Sequence, residues 1–232
     1  MIAREGWPFI LIGLVLTVVL ILLATRANSQ WLFGLSIVFG ILTLFVTFFF
    51  RDPNRTFAAE PGLLVSPADG KVIKIEQLTA HPFVDGPTAK ISIFLSVFDV
   101  HVNRVPANGT VNYVKYIPGE FLIAYLDKAS EKNEQTEIGM TTDSGDRIVF
   151  KQIAGIIARR IVCRLKEGDT VTAGERFGLI RFGSRTELFV PTSAEVLVKP
   201  GDRVLGGRTP LVRLAVGKPK VGNPAQTGSY EH

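Results

Sequence analysis

A Gly-Ser pair, Gly183-Ser184, sits inside the strand-like run Leu179-Ile-Arg-Phe-Gly183-Ser184-Arg-Thr-Glu-Leu-Phe-Val-Pro191. Such a step is ordinarily a turn or bulge, because Gly takes φ > 0 without steric cost. A serine hydroxyl becomes a nucleophile only when a base reaches it, so the rest of the chain was searched for one. Two groups stand out. Asp69 lies in Val65-Ser-Pro-Ala-Asp69-Gly70, a good type I turn sequence in which a carboxylate commonly accepts backbone hydrogen bonds. His101 lies in Phe98-Asp-Val-His101-Val-Asn-Arg104-Val-Pro-Ala-Asn-Gly109, at the end of an apolar strand, where a structural histidine is the commoner finding. A neutral imidazole near pH 7 can nonetheless take or return a proton. His81 falls in a loop, and the three histidines and the lone Cys163 share no ligand spacing, so neither a metal site nor an intramolecular disulfide is expected.

The elements that must position these groups fall into two unlike parts. Mean hydropathy is +0.27 over 232 residues, and the apolar excess sits in the first fifty. Trp7 to Thr25 and Trp31 to Phe50 are uncharged runs, each long enough to cross a bilayer as a helix and separated only by Arg26-Ala-Asn-Ser-Gln30. Residues 1–50 therefore read as a membrane hairpin (7–25 and 31–50). A cleaved signal peptide is the rival, but its apolar region should be shorter and not followed at once by a second. Arg4, Arg51 and Arg55 flank the outer ends against Arg26 in the loop, which places the following domain on the cytoplasmic side of the cell membrane. The net charge of +5 suits anionic lipid headgroups, or merely solubility. No basic run is interleaved with aromatics, so nucleic acid is not an expected partner.

Residues 51–216 read as a mainly β (α+β) domain. Strand-like runs at Gly70–Ile75, Ala89–Leu95, Thr110–Tyr116 and Asp146–Lys151 are punctuated by turns, as in an antiparallel barrel or sandwich. Helical stretches are expected near Phe121–Ala129 and around Gly155–Arg160. Two copies of a Lys-(x)-Gly-Asp-x-Val pattern, from Lys166 and from Val198-Lys199, flank the Gly-Ser run. They resemble the hammerhead half-motifs of biotinyl and lipoyl carriers, without a Lys at the tip. Residues 217–232 are polar and Gly/Pro-rich, the composition of a disordered tail.

Taken in order, the Asp69, His101 and Gly183-Ser184 segments resemble the phosphatidylserine decarboxylase family in its short form. The resemblance covers roughly residues 50 to 215. It implies self-cleavage between Gly183 and Ser184 into a large and a small chain that stay associated. Ser184 becomes a pyruvoyl group, the covalent cofactor, which forms a Schiff base with the substrate amine. It assigns Asp69 to the self-processing relay and His101 to acid-base work, and it makes phosphatidylserine the substrate. The motifs also depart from the family. Arg104 stands where long forms carry a second histidine and cannot serve as a base. Arg185 replaces a threonine, and beside the pyruvoyl it could bind the lipid phosphate or carboxylate. Two alternatives stay open: a non-enzymatic membrane-tethered carrier or adaptor built on the hammerhead pattern, and a decarboxylase of another seryl-phospholipid. Homo-oligomerisation is left open too. Because every assigned processing residue lies beyond position 60, removal of residues 1–50 is expected to spare processing.

Overall fold

The structure, a computed structural model, describes residues 1–57, 60–120, 132–155, 161–181 and 184–215. Gly183, the expected helix at Phe121–Ala129, nearly all of that at Gly155–Arg160 and the tail lie outside these. Two helices open the chain after a short 3-10 turn: α1 (Trp7–Ala27) and α2 (Gln30–Phe49). Pro8 in the first turn starts α1, and Asn28 in the left-handed region ends it. Ser29 caps α2 by accepting from the Leu32 amide. The connection is thus shorter than the Arg26–Gln30 loop read from charge. Both helices are long and apolar enough to cross a membrane, and most of their large side chains face outward. They pack on each other through small residues: a Cβ on Gly13 would lie 2.4 Å from the Thr43 hydroxyl.

The rest of the described chain is mainly antiparallel β. The strands are β1 (Leu63–Val65), β2 (Gly70–Leu78), β3 (Thr88–Leu95), β4 (Val102–Arg104), β5 (Gly109–Ile117), β6 (Gln135–Thr142) and β7 (Arg147–Ile153). They continue as β8 (Ile161–Cys163), β9 (Thr170–Val171), β10 (Arg176–Ile180), β11 (Ser184–Pro191), β12 (Glu195–Val196), β13 (Arg203–Val204) and β14 (Pro210–Arg213). The largest sheet runs β13-β2-β3-β11-β7-β6-β5-β9, and smaller ones run β4-β10-β8 and β1-β14-β12. All four strands expected from the alternation are present, three with slightly longer bounds and the fourth shifted to Arg147–Ile153. Isoleucines 91, 93, 138 and 148, with Val72, Met140, Phe150 and Leu188, fill the main core on one face of the large sheet.

That sheet is a palindrome, and the two halves repeat in detail. Pro67-Ala-Asp69-Gly70-Lys-Val72 leads into β2 as Pro106-Ala-Asn108-Gly109-Thr-Val111 leads into β5. Gly70 and Gly109 have φ of 156° and 154°, and at each a Cβ would strike a neighbouring carbonyl oxygen at 2.2 and 2.1 Å. Each half ends on one of the two Lys-x-Gly-Asp turns. Asp169 and Asp202 cap them identically, accepting from the Lys166 and Lys199 amides at 2.8 and 2.9 Å. Gly168 donates to the Val111 carbonyl as Gly201 does to that of Val72. The pattern noticed near the C-terminus is therefore one limb of a larger duplication. In the second half a tight turn at Thr142–Asp146 joins β6 to β7. In the first half the corresponding strands, β3 and β11, are separated by the entire second half.

Candidate active site

Ser184 is the first residue of β11 and pairs with Leu95, the last of β3. It is fully buried, and its hydroxyl has no hydrogen-bond partner among the described residues. A buried hydroxyl without a partner is costly for the fold, and Ser184 shares that state with Thr186, two residues on along the same strand face. The chain reaches Ser184 from β10, whose last amide, Ile180, bonds the carbonyl of His101 at 3.4 Å. His101 precedes β4, the strand paired with β10. The β4-β10 pairing thus sets the His101 backbone against the strand that ends four residues before Ser184, and the β3-β11 ladder seats Ser184 opposite Leu95.

His101 is fully buried. Its Nδ1 lies 2.9 Å from the Asp99 carbonyl, which can only accept, so Nδ1 carries the proton and Nε2 the lone pair. Burial pushes its pKa down to about 4, against the upward pull of the Asp99 carbonyl and carboxylate and of Asp69, with Arg51 adding to the depression. At neutral pH the ring is therefore uncharged. The Asp99 carboxylate fixes its own loop by accepting from the Ser96 amide and hydroxyl, both at 2.8 Å.

Asp69 is also buried. Arg55 grips its carboxylate with both guanidinium nitrogens, one at 2.7 Å, and the Gly206 amide donates to Oδ1 at 2.8 Å. The repeat supplies an internal comparison. Asn108 accepts from the Ala173 amide at 2.7 Å, just as Asp69 accepts from Gly206. An amide suffices for the turn, and the charge at Asp69 is matched by Arg55. Its influence on His101 is electrostatic.

Arg185 follows Ser184 and so points to the opposite face of the sheet. There it is fully buried, 2.9 Å from Glu187 and 2.7 Å from the Ser92 hydroxyl. Arg104, in the place of a second histidine, bonds the carbonyls of Gly174 and Pro53 at 2.9 and 2.8 Å and pairs with Asp52. It is a strut between the β domain and the segment after α2.

The phosphatidylserine decarboxylase family profile matches residues 42–212. The chain is 49% identical to the phosphatidylserine decarboxylase proenzyme of Symbiobacterium thermophilum, over 92% of this chain and 95% of that one. It is 48% identical to the proenzyme of the same name from Syntrophus aciditrophicus, over 90% and 96%. With that of Salinibacter ruber it shares 51% identity over 73% and 76%. The chain belongs to the phosphatidylserine decarboxylase family.

In this member of the decarboxylase family, two residues that sequence reasoning missed complete the site. In the sequence Arg55 reads only as a flanking charge, and Phe49 only as part of an apolar run. The Phe49 ring, fully buried, lies 4.2 Å from the His101 ring between centroids and packs with Phe50, Val100, Val102 and Leu179. Arg51 donates to the carbonyls of Phe48 and Phe98, tying α2 to the loop that carries His101. The site's floor is thus the end of the second helix. Nothing local in the sequence marks either partnership, because each joins residues far apart in the chain.

Proposed function

We propose that the chain is a membrane-anchored, self-cleaving proenzyme that decarboxylates phosphatidylserine to phosphatidylethanolamine and CO2. The observation that carries this reading is the buried Ser184 hydroxyl, without a hydrogen-bond partner among the described residues, at the entry to a strand that follows the β10 contact with the His101 backbone. A prosthetic group made in place from Ser184 fits here, since no described residue hydrogen-bonds that hydroxyl.

His101, neutral and with its lone pair on Nε2, takes the Ser184 proton as the oxygen attacks the Gly183 carbonyl. The peptide C–N bond breaks and an ester forms. Loss of the α-proton then expels the Gly183 carboxylate, and water releases ammonia to leave a ketone at the new N-terminus. Asp69, clamped by Arg55, stabilises positive charge building on His101. The pyruvoyl group supplies the electron sink that amino-acid side chains lack. During turnover His101 returns a proton to the carbon that has lost CO2. Arg185 was assigned to headgroup binding, but its direction and its Glu187 partner support a framework role.

We assign residues 1–50 to membrane anchoring with the β domain on the cytoplasmic side, and residues 51–216 to catalysis. The alternative of a carrier-type protein built on the hammerhead pattern rests on the two Asp-capped turns alone, and the family match stands against it. Mass spectrometry of purified protein separates the two readings. Decarboxylase activity requires a short chain beginning at residue 184 with no free amine, and Ser184→Ala should leave one uncut, inactive chain. A single intact chain in active material would sink the proposal. The substrate is tested by CO2 release from phosphatidylserine against other seryl-phospholipids.

A further inference from the structure

The arginines where the helical pair meets the β domain are matched to acids. Arg55 pairs with Asp69, Arg104 and Arg176 with Asp52, Arg164 with Glu5, and Arg203 with Asp99. Arg51 at the same junction bonds the carbonyls of Phe48 and Phe98 instead, and Arg181 has neither kind of partner among the described residues. It follows β10, three residues before Ser184, and makes no ion pair among the described residues. Its Nε is buried without a hydrogen-bond partner. Its guanidinium carbon lies 5.3 Å from the centre of the Phe9 ring, near the start of α1, and Phe9 stacks on Phe50 at 5.8 Å. An aromatic ring under a guanidinium fixes its plane and leaves the N–H edge for an anion.

We propose that Arg181 holds the phosphodiester of the lipid substrate, an inference that rests on the decarboxylase reading above. A seryl-phospholipid presents its groups in a fixed order: acyl chains in the bilayer, phosphate at the surface, then amine and carboxylate. The start of α1, with Trp7, marks the bilayer surface, and Ser184 marks where the amine must react. Arg181 is joined by a short stretch of chain to the second and rests on the first. Arg185 cannot take this role, because Glu187 neutralises it on the far face of the sheet.

The test is steady-state kinetics in mixed micelles on processed enzyme, normalised to pyruvoyl content. Arg181→Gln should raise KM for phosphatidylserine roughly tenfold or more, and Arg181→Lys by less, because it keeps the charge and loses the fork. Glycerophosphoserine should weaken as a competitive inhibitor of Arg181→Gln by a similar factor. Serine ethyl ester, which has the amine but no phosphate, should inhibit wild type and variant alike. A KM within twofold of wild type overturns the proposal, as does an equal loss for both inhibitors. The carboxylate freed at Gly183 is a rival anion for this arginine. If that is its partner, KM stays and the Arg181→Gln chains separate at lower urea, which also overturns the proposal. If Arg181→Gln is not cleaved, an unchanged KM in Arg181→Lys decides against it. Absence of CO2 release by wild type is a separate outcome that sinks the decarboxylase reading and the phosphate site with it.

Discussion

The imidazole of His101 is held uncharged by burial, and this makes its chemistry readable in pH. Its pKa of about 4 lies below the ordinary histidine value, so the folded protein binds fewer protons than the unfolded chain between about 6.5 and 4. Over that window stability falls as pH falls, while the lone pair needed for serine activation persists. Proenzyme made by cell-free synthesis should therefore cleave at a constant rate from pH 7 to about 5 and slow by about tenfold per unit below 4. A midpoint near 6.5 would mean that the ring is not shielded as the structure has it. At Asp69 the comparison with Asn108 gives a second expectation. Asp69→Asn should fold, because an amide does the same turn duty at 108, with stability lowered by about 1–3 kcal/mol from the weakened Arg55 contact. It should process slowly yet turn over near normally per pyruvoyl. His101→Ala should be defective per pyruvoyl by roughly a hundredfold. Normal turnover in that variant would assign the proton to another group. Ser184, His101 and Asp69 are singled out in the sequence by residue type and motif order, and the variants above test the roles proposed for them. Arg55 is not singled out, since its partner Asp69 lies beyond the local chain.

At the scale of elements, the hairpin was legible from two apolar runs of bilayer length, and the strands from alternation. What the runs could not tell is that α2 ends against the His101 ring. The expectation that processing survives loss of residues 1–50 changes accordingly. Truncation removes Phe49 and Phe50 from a buried cluster shared with Val100, Val102 and Leu179. Processing should slow at least tenfold in the truncated protein, beyond any loss of membrane binding. Phe49→Ala isolates the cause. It should destabilise the protein by about 3 kcal/mol or more and admit water to His101. The midpoint of the pH–cleavage profile should then move up toward 6.5. A profile left in place by Phe49→Ala, measured on the same proenzyme, would show that the helix end is only an anchor. The order of strands in the large sheet was not legible either. Its central pairing, β11 with both β3 and β7, is long-range and leaves no periodic trace, although the Pro-Ala-Asp-Gly and Pro-Ala-Asn-Gly pair was in plain view.

Across the whole molecule, the strand that begins at Ser184 lies between two partners from the other side of the cleavage point, β3 over eight residue pairs and β7 over five. The two chains should therefore co-elute in high salt and part only in denaturant that melts the domain. Separation by salt alone would mean that charge rather than the ladder joins them. The same ladder sets a schedule. The second half of the palindrome closes between neighbouring strands, whereas β3 must wait for β11 across that entire half. Long loop closure makes such a pairing a late event. On the proposed mechanism, Ser184 meets His101 only when this last register is made. Cleavage is then a timer started by completed folding, and an uncut chain marks a molecule still assembling. Pulse-labelled protein should gain protease resistance before the short chain appears. Cut product in molecules still open to protease would stop that clock.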